Sequence, residues 1–184
     1  PSVRNPETVR RVLERNREII EAFGLKQGLT HSEFIMDGDE IYLLETAARG
    51  GGVYISSDLI SLETGINVEK FLVDIALGQL QEMPQSKATG KYSGYKAFYV
   101  PFGTVKSISG LEDVKALPYV HRNQLDNLHV GMDVPVEKLN KTNRLALIVE
   151  AESEKQWLER VAHIRDILHV ECESDDITRD LVWK

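Results

Sequence analysis

Between Gly28 and Gly52, in GLTHSEFIMDGDEIYLLETAARGGG, two acids stand in apolar company. Glu33 sits in the run THSEFIM and Glu45 closes the run IYLLE; Arg49 follows four positions later, then Gly50, Gly51 and Gly52. Acids are depleted from strands, and one in an otherwise apolar strand needs a partner or a task. Mg²⁺ is a hard cation that takes one or two protein carboxylates and fills its other positions with water and phosphate oxygens. Glu33 and Glu45 on neighbouring strands would supply that pair. Arg49 would grip phosphate or carboxylate oxygens with two N–H groups. The three glycines would let backbone N–H groups approach an anion. Such a set suits phosphoryl transfer, in which a protein mainly positions reactants and neutralises charge. On spacing alone the plainer alternative stands ahead: both acids on a solvent-facing side, with glycines that only turn the chain.

Positioning these groups falls to a hairpin. Segments 28–36 and 40–46 flank Asp37-Gly38-Asp39, a strong turn signal. A three-residue loop gives an even pairing sum, so the odd-numbered Glu33 and Glu45 would share one face; a two-residue turn would separate them. Upstream, Asn5-Pro6-Glu7 starts a helix whose apolar stripe is Val9, Val12, Leu13, Ile19, Ile20 and Phe23, and Gly24 stops it. Its arginines alternate with Glu14 and Glu18, which reads as a solvated face rather than an anion site. Downstream, a helical turn is expected over 58–62. A better helix is capped by Asn67, with Val68, Phe71, Leu72, Ile75 and Ala76 on its buried side and Gly78 near its end.

The polar stretch from Leu80 to Ser93 is the expected boundary, giving units 1–83 and 84–184. Beyond it short strands are expected over 95–102, 104–108, 119–122, 127–130, 145–150 and 169–172. A short helical piece precedes Pro118. The clearest helix is opened by a capping box, Ser153 with Gln156, and carries the stripe Trp157, Leu158, Val161, Ile164, Leu168. The acidic stretch 171–176 is expected to be solvated. Forty-two per cent hydrophobic and 28% charged residues describe a globular chain without a membrane-spanning run, and a net charge of −7 argues against a broad nucleic-acid surface. A single cysteine, Cys172, makes no internal disulfide, and a reducing, cytoplasmic setting is the default. A start at Pro1, directly before a helix, is what an excised fragment or processed chain looks like.

THSEF, the turn and YLLETAARGGG together resemble the C-terminal part of the ATP-grasp signature. That resemblance implies an α+β fold: the C-terminal part of an ATP-grasp domain, with antiparallel strands and flanking helices, then a small strand-rich α+β domain. It implies that Glu33 and Glu45 bind the Mg²⁺ (or Mn²⁺) that bridges the phosphates of ATP, that Ile35 lines the adenine pocket, and that Arg49 is the catalytic arginine. Ala47 stands where the pattern has Asn, which removes one side-chain metal ligand. SSDLISLETGINVEKFLVDIALGQ is similar to the helix that follows this motif in the biotin carboxylase, carbamoyl-phosphate synthase and L-amino-acid ligase branches. The second half, from GYKAFYVPFGTV to ERVAHIRDILHV, is similar to the C-terminal domain of the last branch, so the resemblance runs from about Val9 to Val170. The implied activity is a carboxylate–amine ligase that forms an acyl phosphate and leaves ADP. The alternatives are a bicarbonate-using relative of carbamoyl-phosphate synthase or biotin carboxylase, and a binding module that has lost catalysis. The implied partners are ATP, a small carboxylate, an upstream ATP-grasp region carrying the glycine-rich loop and phosphate-binding lysines, and a second copy in a homodimer. Without that upstream region the chain should bind ATP weakly.

The remaining candidates read as structural. His31 is placed off the Glu33 face by strand parity, hence structural or near a substrate rather than a ligand. His121 and His129 have no acid cluster between them, and His163 and His169 belong to packing. Ser56-Ser57-Asp58 reads as a helix cap, and Cys172 as a packed thiol.

Overall fold

The computed structural model describes residues 5–79, 82–136, 143–174 and 177–183. They form two compact units, 1–89 and 90–184. Leu80 and Gln81 of the expected boundary, and Asp175 and Asp176 of the acidic end, lie outside the described residues.

The first unit opens with α1 (Pro6–Ala22), whose N-cap Asn5 accepts the Glu7 N–H at 2.9 Å. Gly24, at φ 68, ends it in the left-handed conformation that glycine adopts without a Cβ penalty. Ion pairs Arg10–Glu14, Arg15–Glu18 and Arg17–Glu21 lie along its exposed side, as the charge pattern required. Next come β1 (His31–Asp37) and β2 (Glu40–Ala47), an antiparallel pair. Arg11 on α1 reaches the tip of this hairpin and binds the Asp39 carboxylate at 3.0 Å.

After the glycines, Val53 (φ 47) and Tyr54 (φ 63) both take positive φ, and a π-helical turn, Ile55–Leu59, leads into α2 (Ile60–Thr64). The Leu59 N–H donates to the Tyr54 carbonyl five residues back, which widens the turn. α3 (Val68–Ala76) is capped by Asn67, whose side chain accepts the Lys70 N–H at 2.8 Å. Val68 and Phe71 are buried, whereas Ala76, expected on the buried side, is exposed in the last turn. Segment 82–89 closes the unit: Lys87 and Thr89 donate N–H bonds to Thr64 and Glu63 carbonyls at 2.9 and 3.1 Å.

The second unit contains β3 (Tyr92–Tyr99), β4 (Gly103–Ser109), α4 (Leu111–Lys115), β5 (Val120–Asn123), β6 (Asp133–Val134), β7 (Arg144–Ala151), α5 (Glu154–Ile167), β8 (His169–Ser174), β9 (Ile177–Arg179) and β10 (Val182–Trp183). Its two antiparallel sheets run β10-β3-β7-β5 and β6-β4-β8-β9. β7 is central and buried along five consecutive residues, Leu145 to Val149, as its unbroken apolar run demands. β8 alternates instead, burying Val170 and Cys172 and exposing Glu171 and Glu173. One core cluster draws on both sheets and on α5, through Phe98, Val105, Leu147, Val149, Ile164 and Leu168.

Ser153 accepts the Gln156 N–H at 3.2 Å, while the Gln156 side chain accepts from Glu152 at 2.8 Å, one residue before the position a strict capping box uses. Leu158 is 56% exposed, because the buried stripe of α5 steps from Trp157 to Val161, Ile164 and Leu168 and leaves its neighbour outside. No strand forms at 127–130. That stretch is turns closed by local bonds, Leu128 N–H to Leu125 and Met132 N–H to His129, and the strand comes later at Asp133–Val134.

Candidate functional site

The hairpin places Glu33 and Glu45 directly opposite one another. Opposed residues of an antiparallel pair face the same side, so both carboxylates lie on one face. The reason differs from the one read off the sequence. The turn has two residues, not three: Asp37 pairs with Glu40 around Gly38 (φ 56) and Asp39. Such a turn by itself would send the acids to opposite faces. A β-bulge between Glu33 and Phe34 cancels that shift. Phe34 pairs with Leu43 and Glu33 with Glu45, so Leu44 is the extra residue and the register returns to the even sum.

Ile35 pairs with Tyr42 beyond the bulge, and the two side chains are 50% and 53% exposed. Arg49 donates to the Gly50 carbonyl at 2.8 Å and stands 3.7 Å from the Glu45 carboxylate. It also borders a cleft of about 410 Å³ whose walls include Ile20, Leu25, Lys26, Leu29 and Leu72. Glu33, Ile35 and Glu45 do not line that cleft. The structure therefore brings Glu33, Glu45 and Arg49 into one neighbourhood and sets Ile35 two pairs further along the hairpin. Among the described residues no group of three or more His, Cys, Asp or Glu side chains forms a metal cluster. Two opposed carboxylates are nonetheless a hard-oxygen pair that suits Mg²⁺, whose other positions go to water and phosphate.

His31 corrects its sequence reading. Residues two apart on a strand point the same way, so His31 shares the Glu33 face, and its Nε2 lies 3.3 Å from Glu33 Oε1. The i, i+2 spacing in H-S-E carried this signal. The glycines turn the chain tightly. A Cβ on Gly50 would meet Ser56 Oγ at 2.5 Å, and one on Gly51 would meet His31 Nδ1 at 3.0 Å and Ile55 at 3.1 Å. Ala47, in place of the pattern's Asn, pairs with His31. Of Ser56-Ser57-Asp58, the Ser57 hydroxyl donates to the buried Asp58 carboxylate, inside the π-helical turn and not at a helix cap.

Glu150, His121, His129 and His163 have structural partners. His121 lies 2.8 Å from Glu150, which also binds Lys91 at 2.7 Å. Burial pushes the Glu150 carboxyl up, but the Lys91 ammonium and the His121 imidazole outweigh it and hold the group below the ordinary carboxylate range. His163 bonds the Tyr119 hydroxyl at 2.5 Å, and His129 contacts the Asn127 carbonyl at 2.9 Å. Burial, helped by the nearby Asp180 charge, raises the Cys172 thiol to about 11, which keeps it protonated and unreactive near neutrality.

Comparison with solved structures gives the class of fold. The chain superposes on an L-amino acid ligase from Bacillus licheniformis with a TM-score of 0.76 at 24% identity, covering 95% of this chain and 43% of that one. A phosphoribosylglycinamide synthetase from Anaerococcus prevotii gives 0.72 at 14%, covering 94% and 44%. A biotin carboxylase from Campylobacter jejuni, in a β,γ-ATP complex, gives 0.62 at 17%, covering 98% and 38%. No family model matches the chain, and no curated protein sequence does. All three structures are ATP-grasp enzymes, and this chain shares the part of their fold that it covers. It spans less than half the length of each. No helix among the described residues is long and apolar enough to cross a membrane.

Proposed function

We propose that this chain is the C-terminal portion of a cytoplasmic, ATP- and Mg²⁺-dependent ligase that activates a small carboxylate and joins it to an amine. The observation that carries the reading is the cross-strand pairing of Glu33 with Glu45, restored by a bulge, within a fold shared with three ATP-grasp enzymes. Glu33 and Glu45 hold Mg²⁺, or Mn²⁺ in its place, which when bound neutralises phosphate charge. Arg49, tethered to Glu45 at 3.7 Å, offers its guanidinium to the phosphoryl group in transfer or to the substrate carboxylate. Ile35 supplies one apolar wall for the adenine. In the reaction a substrate carboxylate oxygen attacks the γ-phosphorus, the bond to the ADP oxygen breaks, and an acyl phosphate forms. The amine then attacks the acyl carbon and expels phosphate. Glycine-loop and lysine contacts to ATP come from an upstream region of the same protein, and the whole acts as a homodimer.

The test is Glu45→Gln in the full-length protein. ADP formation should be abolished while circular dichroism and thermal unfolding stay those of the wild type. Near wild-type turnover in a folded variant would overturn the metal assignment. A wild-type protein that binds no MgATP with both acids intact would instead be a non-catalytic module.

A further inference from the structure

We infer that His31 is a positioning residue for the metal-binding carboxylate of Glu33, and that Gly51 is glycine in order to seat the His31 ring. This rests on the Mg²⁺ reading above and extends it to two residues outside the acid pair. Glu33 stands on a two-stranded hairpin with 56% of its side chain exposed, so its carboxylate keeps most of its rotamer freedom in solution. Ordering such a side chain when an ion binds costs conformational entropy, and a fixed neighbour removes part of that cost in advance. His31 is that neighbour. Its side chain is only 23% exposed, and with the proton on Nε2 the ring donates to Glu33 Oε1 across 3.3 Å. The other ring nitrogen faces the glycine corner, where a Cβ on Gly51 would come within 3.0 Å of it. Ile55 also stands 3.1 Å from that Cβ position, so the corner is closed to a side chain at residue 51. Glu45 has its own tether, Arg49 at 3.7 Å. Each acid of the pair is thus held by one basic side chain, and the first of these side chains is set by the glycine corner. Outer-shell groups that orient a metal's ligands commonly carry a ten- to hundredfold effect on affinity.

The experiment is an electron paramagnetic resonance titration of Mn²⁺ into the full-length protein with a non-hydrolysable ATP analogue. Thermal unfolding of each variant is followed alongside. His31→Ala should weaken Mn²⁺ binding about tenfold. His31→Gln, whose amide N–H occupies much the same place as Nε2, should recover affinity to within about threefold of wild type. Gly51→Ala should weaken binding like His31→Ala and add nothing further in the His31→Ala background. If Gly51→Ala does not fold, the Ala and Gln variants of His31 decide the matter. His31→Ala binding Mn²⁺ as wild type does, while Glu45→Gln loses it, would overturn the role of His31 and leave the ligase reading standing. His31→Gln as weak as His31→Ala would also overturn it. Unchanged binding in Glu45→Gln would remove the metal reading and this inference with it.

Discussion

Gly94 in β3 lies under the indole of Trp157. It pairs with Val149 of β7, and a Cβ built on it would stand 2.7 Å from Cε2 and 2.8 Å from Cζ2 and Nε1 of that ring. The same Nε1 donates to the Val149 carbonyl at 3.1 Å, so α5 is stitched across the β3–β7 pair at this point. In Gly94→Ala the ring must retreat by about 1 Å to reach ordinary van der Waals distance, which takes Nε1 out of bonding range. The lost hydrogen bond costs about 1 kcal/mol, and forcing an extra methyl into a packed site about 1–3 kcal/mol more. The expected loss is about 2–4 kcal/mol, read from urea denaturation followed by far-ultraviolet circular dichroism. A double-mutant cycle sharpens the test. In a Trp157→Ala background the space is vacant, and Gly94→Ala should cost less than about 0.5 kcal/mol. A single Gly94→Ala variant as stable as wild type, or an equal loss in both backgrounds, would refute this account of the packing.

Two further outcomes follow from charges in the second unit. Lys91 and His121 hold Glu150 below the ordinary carboxylate range. A lowered folded-state value contributes stability above the unfolded carboxylate pKa and loses it as pH falls through the folded value. Stability should therefore drop on acidification through the carboxylate range, with a shallower slope in Glu150→Gln; equal slopes in equilibrium denaturation would contradict this. Cys172 is raised to about 11, so folding protects it while the unfolded thiol ionises from about pH 9, and stability should fall as pH rises between those values. A thiol-reactive dye should label Cys172 only on unfolding. Prompt labelling of native protein at pH 8 would show an open site.

Much of the hairpin that carries the acid pair was legible in the residues, and the gaps have physical causes. The Asp-Gly turn, the two strands and the acid pair follow from turn chemistry and apolar patterning. Two carboxylates must share a strand face to share an ion, and the pairing of Glu33 with Glu45 meets that condition. Its mechanism was not legible, because a bulge replaces one ladder position by two without changing the apolar character of the strand. Leu43-Leu44 reads like any strand interior. Val53 and Tyr54 at positive φ were hidden for a different reason. Branched and bulky residues are the least expected there, and only surrounding structure holds them in place. His31 lies two residues from Glu33, and the strand period of two puts both on one face. In the second unit, β7 and α5 announced themselves by length and periodicity. β6, β9 and β10, two or three residues each, are defined by their partners and carry too little pattern to be read alone.

In the proposed function, Glu33 and Glu45 act as one oxygen pair for the metal of MgATP. Calorimetric titration of a non-hydrolysable ATP analogue into the full-length protein, with and without Mg²⁺, tests it most directly when run on wild type, Glu33→Gln and Glu45→Gln. Mg²⁺ should strengthen nucleotide binding in the wild type, and either substitution should abolish that dependence while the protein stays folded. Mg²⁺ dependence that survives in both variants would contradict it.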